Sequence, residues 1–433
     1  MVLGWSVCAL CLLTMALSPV GKPYFPEASW RKLKPVNYTE AQKLAINHAA
    51  PETGAKYIVL MMGATMGYLV ADVAADGVVV EYAQREPLAC RGRTQTAIYT
   101  VRNLFTIFAS VLVGFGLSSP PYGGDFDFGL SFPSCMLVLA LFCVPVIPLT
   151  WLFVKERRVE APSARAYLAM LWTTIQRRAI YQVIAYSFFS GVFGGLSYVA
   201  VDPVTIYWAR ATSFSISVAQ ILGAGITVAT LTLTGAYGLH WSWRTMTVIT
   251  TLSVVAIDAV CTMLTVWDVV RSQWFWLGLP IVEAVPAGVG FIISTYVVVE
   301  LADVGNEAAI YGLMTTVGNL SGPFSSALTK SLNAHFSVYN EDILNDTQAV
   351  RRDVTLTILL SYASKLVSLV FLVWLPRQKA ETQALKRDGG SSKVLGTITI
   401  AYCLLALAWS VMTNLFSIFE STRCLKITGG CKH

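Results

Sequence analysis

The chain has 433 residues, 55% of them apolar and only 13% charged, with a formal net charge of +6. Soluble domains carry about 25% charge, so a water-soluble fold is excluded. The small basic excess belongs to loops, as in any multi-pass membrane protein, and points to a lipid bilayer rather than to nucleic acid.

Apolar runs recur at 3–20, 57–80, 96–117, 130–154, 180–201, 214–239, 246–266, 274–299, 308–328, 356–375 and 394–415. Each approaches the roughly 20 residues a helix needs to cross a bilayer. Continuous apolarity without alternation rules out a membrane β-barrel and predicts an all-α bundle of about 11 transmembrane helices. The first run lacks a basic leader and a small-residue cleavage pattern, so it reads as a span and not a signal peptide. Small residues inside the runs (Gly191, Gly194, Gly195, Gly223, Gly225, Gly288, Gly290) suit close helix packing in lipid.

The second run ends in ADVAADGVVVEYAQRE, 71–86, which places Asp72 and Asp76 one turn apart on one helical face. A carboxylate at membrane depth costs about 2.5–3.5 kcal/mol even on lenient scales, so it persists beside a partner, water or a ligand. Asp76 lies nine residues before Arg85 and, in the next span, Arg102 nine residues after Arg93, each about 13 Å from the expected cytoplasmic end of its helix. An interhelical pair or joint contact to one ligand would both satisfy that match, and the depth favours a functional role. Glu81 has Arg85 at i+4, which a helix-end salt bridge explains.

In the second half Glu283 is the deepest acid, set in LPIVEAVPAGVGF between Pro280 and Pro286. That composition predicts a locally broken helix lining a cavity, or a kinked packing helix with Glu283 satisfied by a neighbour. Asp258 and Lys365, both mid-span, are expected to neutralise each other. Glu300, Asp303 and Glu307 surround a tight turn and read as helix-end caps. Asn319 reads as interhelical glue before ligand contact.

The polar segment KERRVEAPSARAYLAMLWTTIQRR, 155–178, holds six Lys or Arg residues and two Glu. It predicts a cytoplasmic linker, 155–179, between a four-span bundle, 1–154, and a six-helix bundle, 180–376. A basic cytoplasmic stretch, the extra span 394–415 and a tail complete the chain, 377–433. Alternate loops then place two N-glycosylation sequons, at Asn37 and Asn345, on the opposite face of a plasma or organelle membrane. Asn319-Leu320-Ser321 also fits the pattern but falls inside a span. Of nine cysteines, only Cys424 and Cys431 lie together in a polar tail where a disulfide is plausible. Nucleotide-loop, metalloprotease and nucleophile-elbow motifs are missing from the sequence. An enzyme, a metal site or a cofactor is therefore not expected; buried charges of both signs in two helical halves suit a secondary transporter.

ADVAADGVVVEYAQREP resembles the signature of the folate–biopterin transporter family, a branch of the major facilitator superfamily. RGRTQTAIYTVRNLF and VVVELADVGNEAAIYGLMTTVGNLSGP are similar to two further stretches of that family, and MVLGW to the sequence leading into its third helix. The resemblance covers about residues 1–376. It implies proton-coupled symport of folate- or biopterin-like solutes by rocking of two bundles. Asp72 and Asp76 would form the polar helix face, Arg102 the buried cation, and Glu307 and Asn319 the late acid and amide. Asp72, Asp76, Arg102 and Glu283 make the expected substrate- or proton-binding set, with Glu81, Glu307, Asn319, Lys365 and Asp258 as secondary candidates. The family has twelve helices, so this chain looks as if it lacks the first two. Gly77 stands where the family has Ala. A carrier of another small solute, or a truncated non-transporting membrane protein, are the alternatives.

Overall fold

The computed structural model describes residues 1–27, 30, 38–87, 91–120, 126–154, 163–302, 307–418, 421–422 and 425. Among them the chain forms α1 (Val2–Leu17), α2 (Glu40–Ala45), α3 (Ala50–Gln84), α4 (Arg93–Gly116), α5 (Phe132–Phe153), α6 (Ala164–Ile175), α7 (Arg178–Gly194) and α8 (Val201–Pro203). The series continues with α9 (Ser213–Tyr237), α10 (Trp243–Val266), α11 (Gln273–Leu301), α12 (Glu307–Asn333), α13 (Asn340–Asn345), α14 (Gln348–Ser368), α15 (Lys379–Asp388) and α16 (Lys393–Ile418). No β-strand occurs among the described residues.

Eight of these helices (α3, α4, α5, α9, α10, α11, α14 with its continuation to Trp374, and α16) are long and apolar enough to cross a bilayer. Three expected spans differ. α1 has 16 residues, short of the usual length. α7 stops after 17 residues at Gly194, and a π-helical turn over Val204–Trp208 follows α8, so the run 180–201 is not one helix. α12 has the length, at 27 residues, but its Thr315, Thr316, Asn319, Ser321, Ser325 and Lys330 dilute its apolarity. α11 is also a correction: it runs unbroken through Pro280 and Pro286. Each proline removes one N–H donor, which a helix held by its neighbours absorbs. The expected linker, 155–179, includes α6.

Contacts divide the chain into two compact units that do not follow chain order. One comprises 1–78, 104–160 and 212–221; the other comprises 79–103, 161–211 and 222–433.

In the first unit α1 packs against α5 and crosses α3 where two glycines face each other. A Cβ on Gly67 would stand 2.7 Å from the Gly4 carbonyl oxygen and 2.8 Å from the Cys8 nitrogen. Only glycine permits that approach, the membrane analogue of a small-residue helix crossing. Cys8, Leu12, Met15, Ala140 and Cys143 fill the contact as small or flexible hydrophobes. Tyr57 closes one end by donating its hydroxyl to the carbonyls of Ser18 (3.0 Å) and Pro19 (2.9 Å).

In the second unit the largest core gathers Ile184, Phe188, Leu231, Ile292, Tyr296, Ile310, Val317 and Leu375 from several helical segments. α7 and α12 cross closely because Gly191 and Gly195 face Ser321 and Ser325, matched i,i+4 pairs on both helices. Beyond the crossing, Thr329 and Asn333 accept from the backbone amides of Ser197 (3.2 Å) and Val199 (3.3 Å). These bonds cap the irregular chain after α7 and hold α12 in register. α16 then packs on α7 and α12.

Candidate functional site

Three long helices of the second unit bring ionisable groups together at mid-span. Asp258 on α10 is 6% exposed and accepts a 2.9 Å hydrogen bond from Thr262, one turn later. The Tyr198 hydroxyl lies within reach of Thr262, and Tyr362 on α14 lies close to Asp258 and Thr262 without completing a bond of good geometry. Glu283, half-buried on α11, lies within electrostatic reach of both Asp258 and Lys365. Asp258 and Glu283 stand about 12 and 15 Å from the ends of their helices at Val266 and Gln273.

The expected Asp258–Lys365 ion pair is not formed among the described residues. Asp258 turns instead to hydroxyl groups, and Lys365 lines a cavity of about 310 Å³ with Tyr186, Thr247, Thr250, Ser294 and Ser368. Pro286 and Gly290 form another part of that wall; a Cβ on Gly290 would meet nothing within 4 Å. Glu283 thus lies within electrostatic reach of one acid and one lysine, and of the three only Lys365 lines the cavity; together they carry a net charge of −1 when all are ionised. One bound proton makes the set neutral.

The remaining expected residues fall in both units. Asp76 is 9% exposed and Asp72 half-buried, both on the part of α3 in the first unit. Arg102 belongs to the second unit and is exposed, not buried as the resemblance implied. Glu81 pairs with Arg85 on an exposed surface. Asn319 is exposed on α12 and lines a cavity of about 690 Å³. The side chain of Glu307, the Asn37 sequon, Asp303, Cys424 and Cys431 lie outside the described residues.

Glu300, expected as a helix-end cap, is also a correction. It is 1% exposed, and its carboxylate accepts from Arg91 (3.1 Å) and Gln383 of α15 (2.7 Å). Lys386 of α15 donates to the carbonyls of Glu300 (3.2 Å) and Ala302 (3.0 Å), and Lys379 to that of Arg91 (2.6 Å). Gln84 also donates to Ala302 (2.8 Å). Glu86 caps α4 by accepting from the amides of Gly92 (2.7 Å) and Thr94 (2.9 Å), an anion at a helix N-terminus. Sequence reasoning missed this network because its partners are about 80 and 210 residues from Glu300. The amphipathic pattern of KAETQALKRD was its one visible trace.

At the opposite helix ends Asp346 holds two arginines. Arg271 donates from Nη1 at 2.6 Å and Nη2 at 3.1 Å, Arg351 from Nε at 2.8 Å and Nη2 at 2.9 Å. Arg271 also lies 4.5 Å over the Trp208 ring. Asp346 sits at φ +46°, a left-handed position that Asp tolerates. Burial alone would raise its carboxyl; the hydrogen bonds and charges of the arginines prevail and hold it at about 2. The unfolded value is about 3.9. The clamp's stabilisation is therefore full above about pH 4 and lost as pH falls toward 2. In a thermal-unfolding pH series, Asp346→Asn should flatten the acid slope over that window. Asn345, exposed beside the clamp, carries the described sequon.

Among the described residues, eight helices long and apolar enough to cross a bilayer define an all-α, multi-pass integral membrane protein. No known family model matches the chain. It is similar to a protein named "Folate-biopterin transporter" from Synechocystis sp., 23% identical over 365 residues, covering 79% of this chain and 68% of that protein.

Proposed function

We propose that this chain is a secondary transporter of folate- or biopterin-like solutes, driven by proton symport through alternating access. The observation that carries the reading is the cluster of Asp258, Glu283 and Lys365, which one proton neutralises. Such a set is costly in a membrane helix bundle and useful where charge must change during a cycle. The similar Synechocystis protein and the multi-span fold support a transport role. In this reading Glu283 and Asp258 share the coupling proton, Lys365 balances them, and Arg102 attracts a carboxylate of the solute. Asp72 and Asp76 supply the acidic face of the first unit.

The test is uptake of labelled folate and biopterin by cells expressing the chain, at an external pH of about 5.5 and 7.5. Uptake should rise at the lower pH and fall on adding a protonophore. Wild-type uptake from the double variant Asp72→Asn, Asp76→Asn would remove those two residues from the mechanism. Equal uptake at both pH values would remove the proton.

A further inference from the structure

The cavity of about 690 Å³ lies along α7, α12 and α16 of the second unit and shares no described lining residue with the cavity at Lys365. On α16 it runs from Thr399 to Leu415, about 24 Å along the helix. That exceeds the ~15 Å of one leaflet, half of a hydrocarbon core of about 30 Å. Its wall is mostly apolar, with Leu404, Leu407, Val411 and Leu415 exposed along it. Thr399 and Asn414, also in the wall, donate to the carbonyls of Leu395 (2.9 Å) and Ser410 (2.7 Å). Both polar groups are thus turned to their own helix. From α12, Asn319 adds a mid-depth amide to the wall.

One end of this groove lies beneath a cluster of cations. Ile175 lines the groove, and Arg177 and Arg178 follow it closely in the chain. An isolated antiparallel bridge pairs Arg177 with Ser391. The Arg178 amide donates to the Gly390 carbonyl (3.1 Å), and the Ser392 amide to that of Gln176 (2.9 Å). These bonds bring the end of α15, with Arg387, and the start of α16, with Lys393, beside the two arginines. All four cations are exposed, and with Asp388 in the same stretch they leave a formal surplus of three positive charges. Lys393 opens a span of bilayer length, which sets the cluster at headgroup level. Thr399, where the groove begins on α16, is about 9 Å beyond it.

A soluble anion would use the cations and leave the groove empty. A neutral lipid would use the groove and ignore the cations. We propose that the two together bind an anionic phospholipid of the bilayer, with one acyl chain along α16 and the phosphate held by Arg177, Arg178 and Lys393. Arginine forks match phosphate oxygens, and basic clusters at helix ends attract anionic headgroups. The span 394–415 is then a wall of a lipid site and not a passive appendage.

The full chain, purified in an uncharged detergent, is titrated with tritiated phosphatidylglycerol, and retained lipid is counted after gel filtration. Retention should exceed that of phosphatidylcholine by about tenfold or more. Arg178→Gln and Lys393→Gln should each weaken it about fivefold, the effect of one cation on an anionic headgroup. Leu407→Trp, which fills the groove, should weaken it about tenfold. Asn319→Leu separates the occupants: a more apolar wall keeps or improves the hold on an acyl chain, whereas a polar ligand would lose a contact. Thermal unfolding of each variant without lipid controls for folding. Glycerol 3-phosphate, the water-soluble headgroup alone, should not compete. Equal retention of the two lipids, or retention unchanged in both charge variants, overturns the site. Competition by glycerol 3-phosphate overturns the lipid as its occupant. Loss of retention in Asn319→Leu, or none in Leu407→Trp, overturns the acyl chain in the groove.

Discussion

Replacing Glu300 by alanine is expected to destabilise the protein by about 3–5 kcal/mol, the usual cost of removing one partner from a buried ion pair. The carboxylate is 1% exposed, while Arg91 retains 21%. The acid is therefore the member whose loss cannot be repaired by solvent. Without it, the Arg91 guanidinium and the Gln383 amide lose their acceptor together. Glu300→Gln keeps an acceptor for both and should cost less than half as much, since only the charge-assisted part is lost. Thermal unfolding of the solubilised full chain reads the difference. A double-mutant cycle with Arg91→Ala should show strong non-additivity, because the second substitution removes the stranded charge. Additive effects, or a Glu300→Ala variant as stable as wild type, would show that the network is ornamental.

Much of the fold was legible because the bilayer imposes one dominant rule, that long apolar runs become helices. α3, α4, α5, α9, α10, α11, α14 and α16 all follow from it. The misses have local causes. α12 is less apolar than the other spans because Thr315, Thr316 and Asn319 lie along it together with Ser321 and Ser325, the two serines that serve the crossing with Gly191 and Gly195. α7 ends early because Thr329 and Asn333 offer its freed backbone an alternative set of acceptors. Glu300 reads as a cap in sequence because its partners come from a loop and a C-terminal helix remote along the chain. Depth alone pairs Asp258 with Lys365, although Thr262 at i+4 already offers the acid a local donor. Helical spacing finds such local partners; it cannot rank remote ones.

Removing the charge of Lys365 should reduce proton-driven uptake about a hundredfold, and removing one nearby acid should restore part of it. The cluster's count decides this outcome. With Asp258, Glu283 and Lys365 ionised the sum is −1, and one proton takes it to zero. Lys365→Gln leaves two acids facing each other within electrostatic reach, so a neutral state needs two protons instead of one. An uncompensated charge at membrane depth costs about 2.5–3.5 kcal/mol, close to two factors of ten in population. The double variant Lys365→Gln, Asp258→Asn returns the set to one acid and one exchangeable proton. It should regain uptake, because the carbonyl oxygen of the introduced amide still accepts from the Thr262 hydroxyl. Glu283→Gln, in contrast, should abolish accumulation against a gradient yet leave exchange of labelled for unlabelled solute, because binding and rocking need no net proton movement. Proteoliposomes with an imposed pH step separate the two activities. Recovery in the double variant would be hard to explain by packing alone, since Lys365 lines the cavity and Asp258 is buried against hydroxyl groups. Failure of the double variant to recover, with its fold intact, would reduce the lysine to a cavity-lining cation with no part in proton balance.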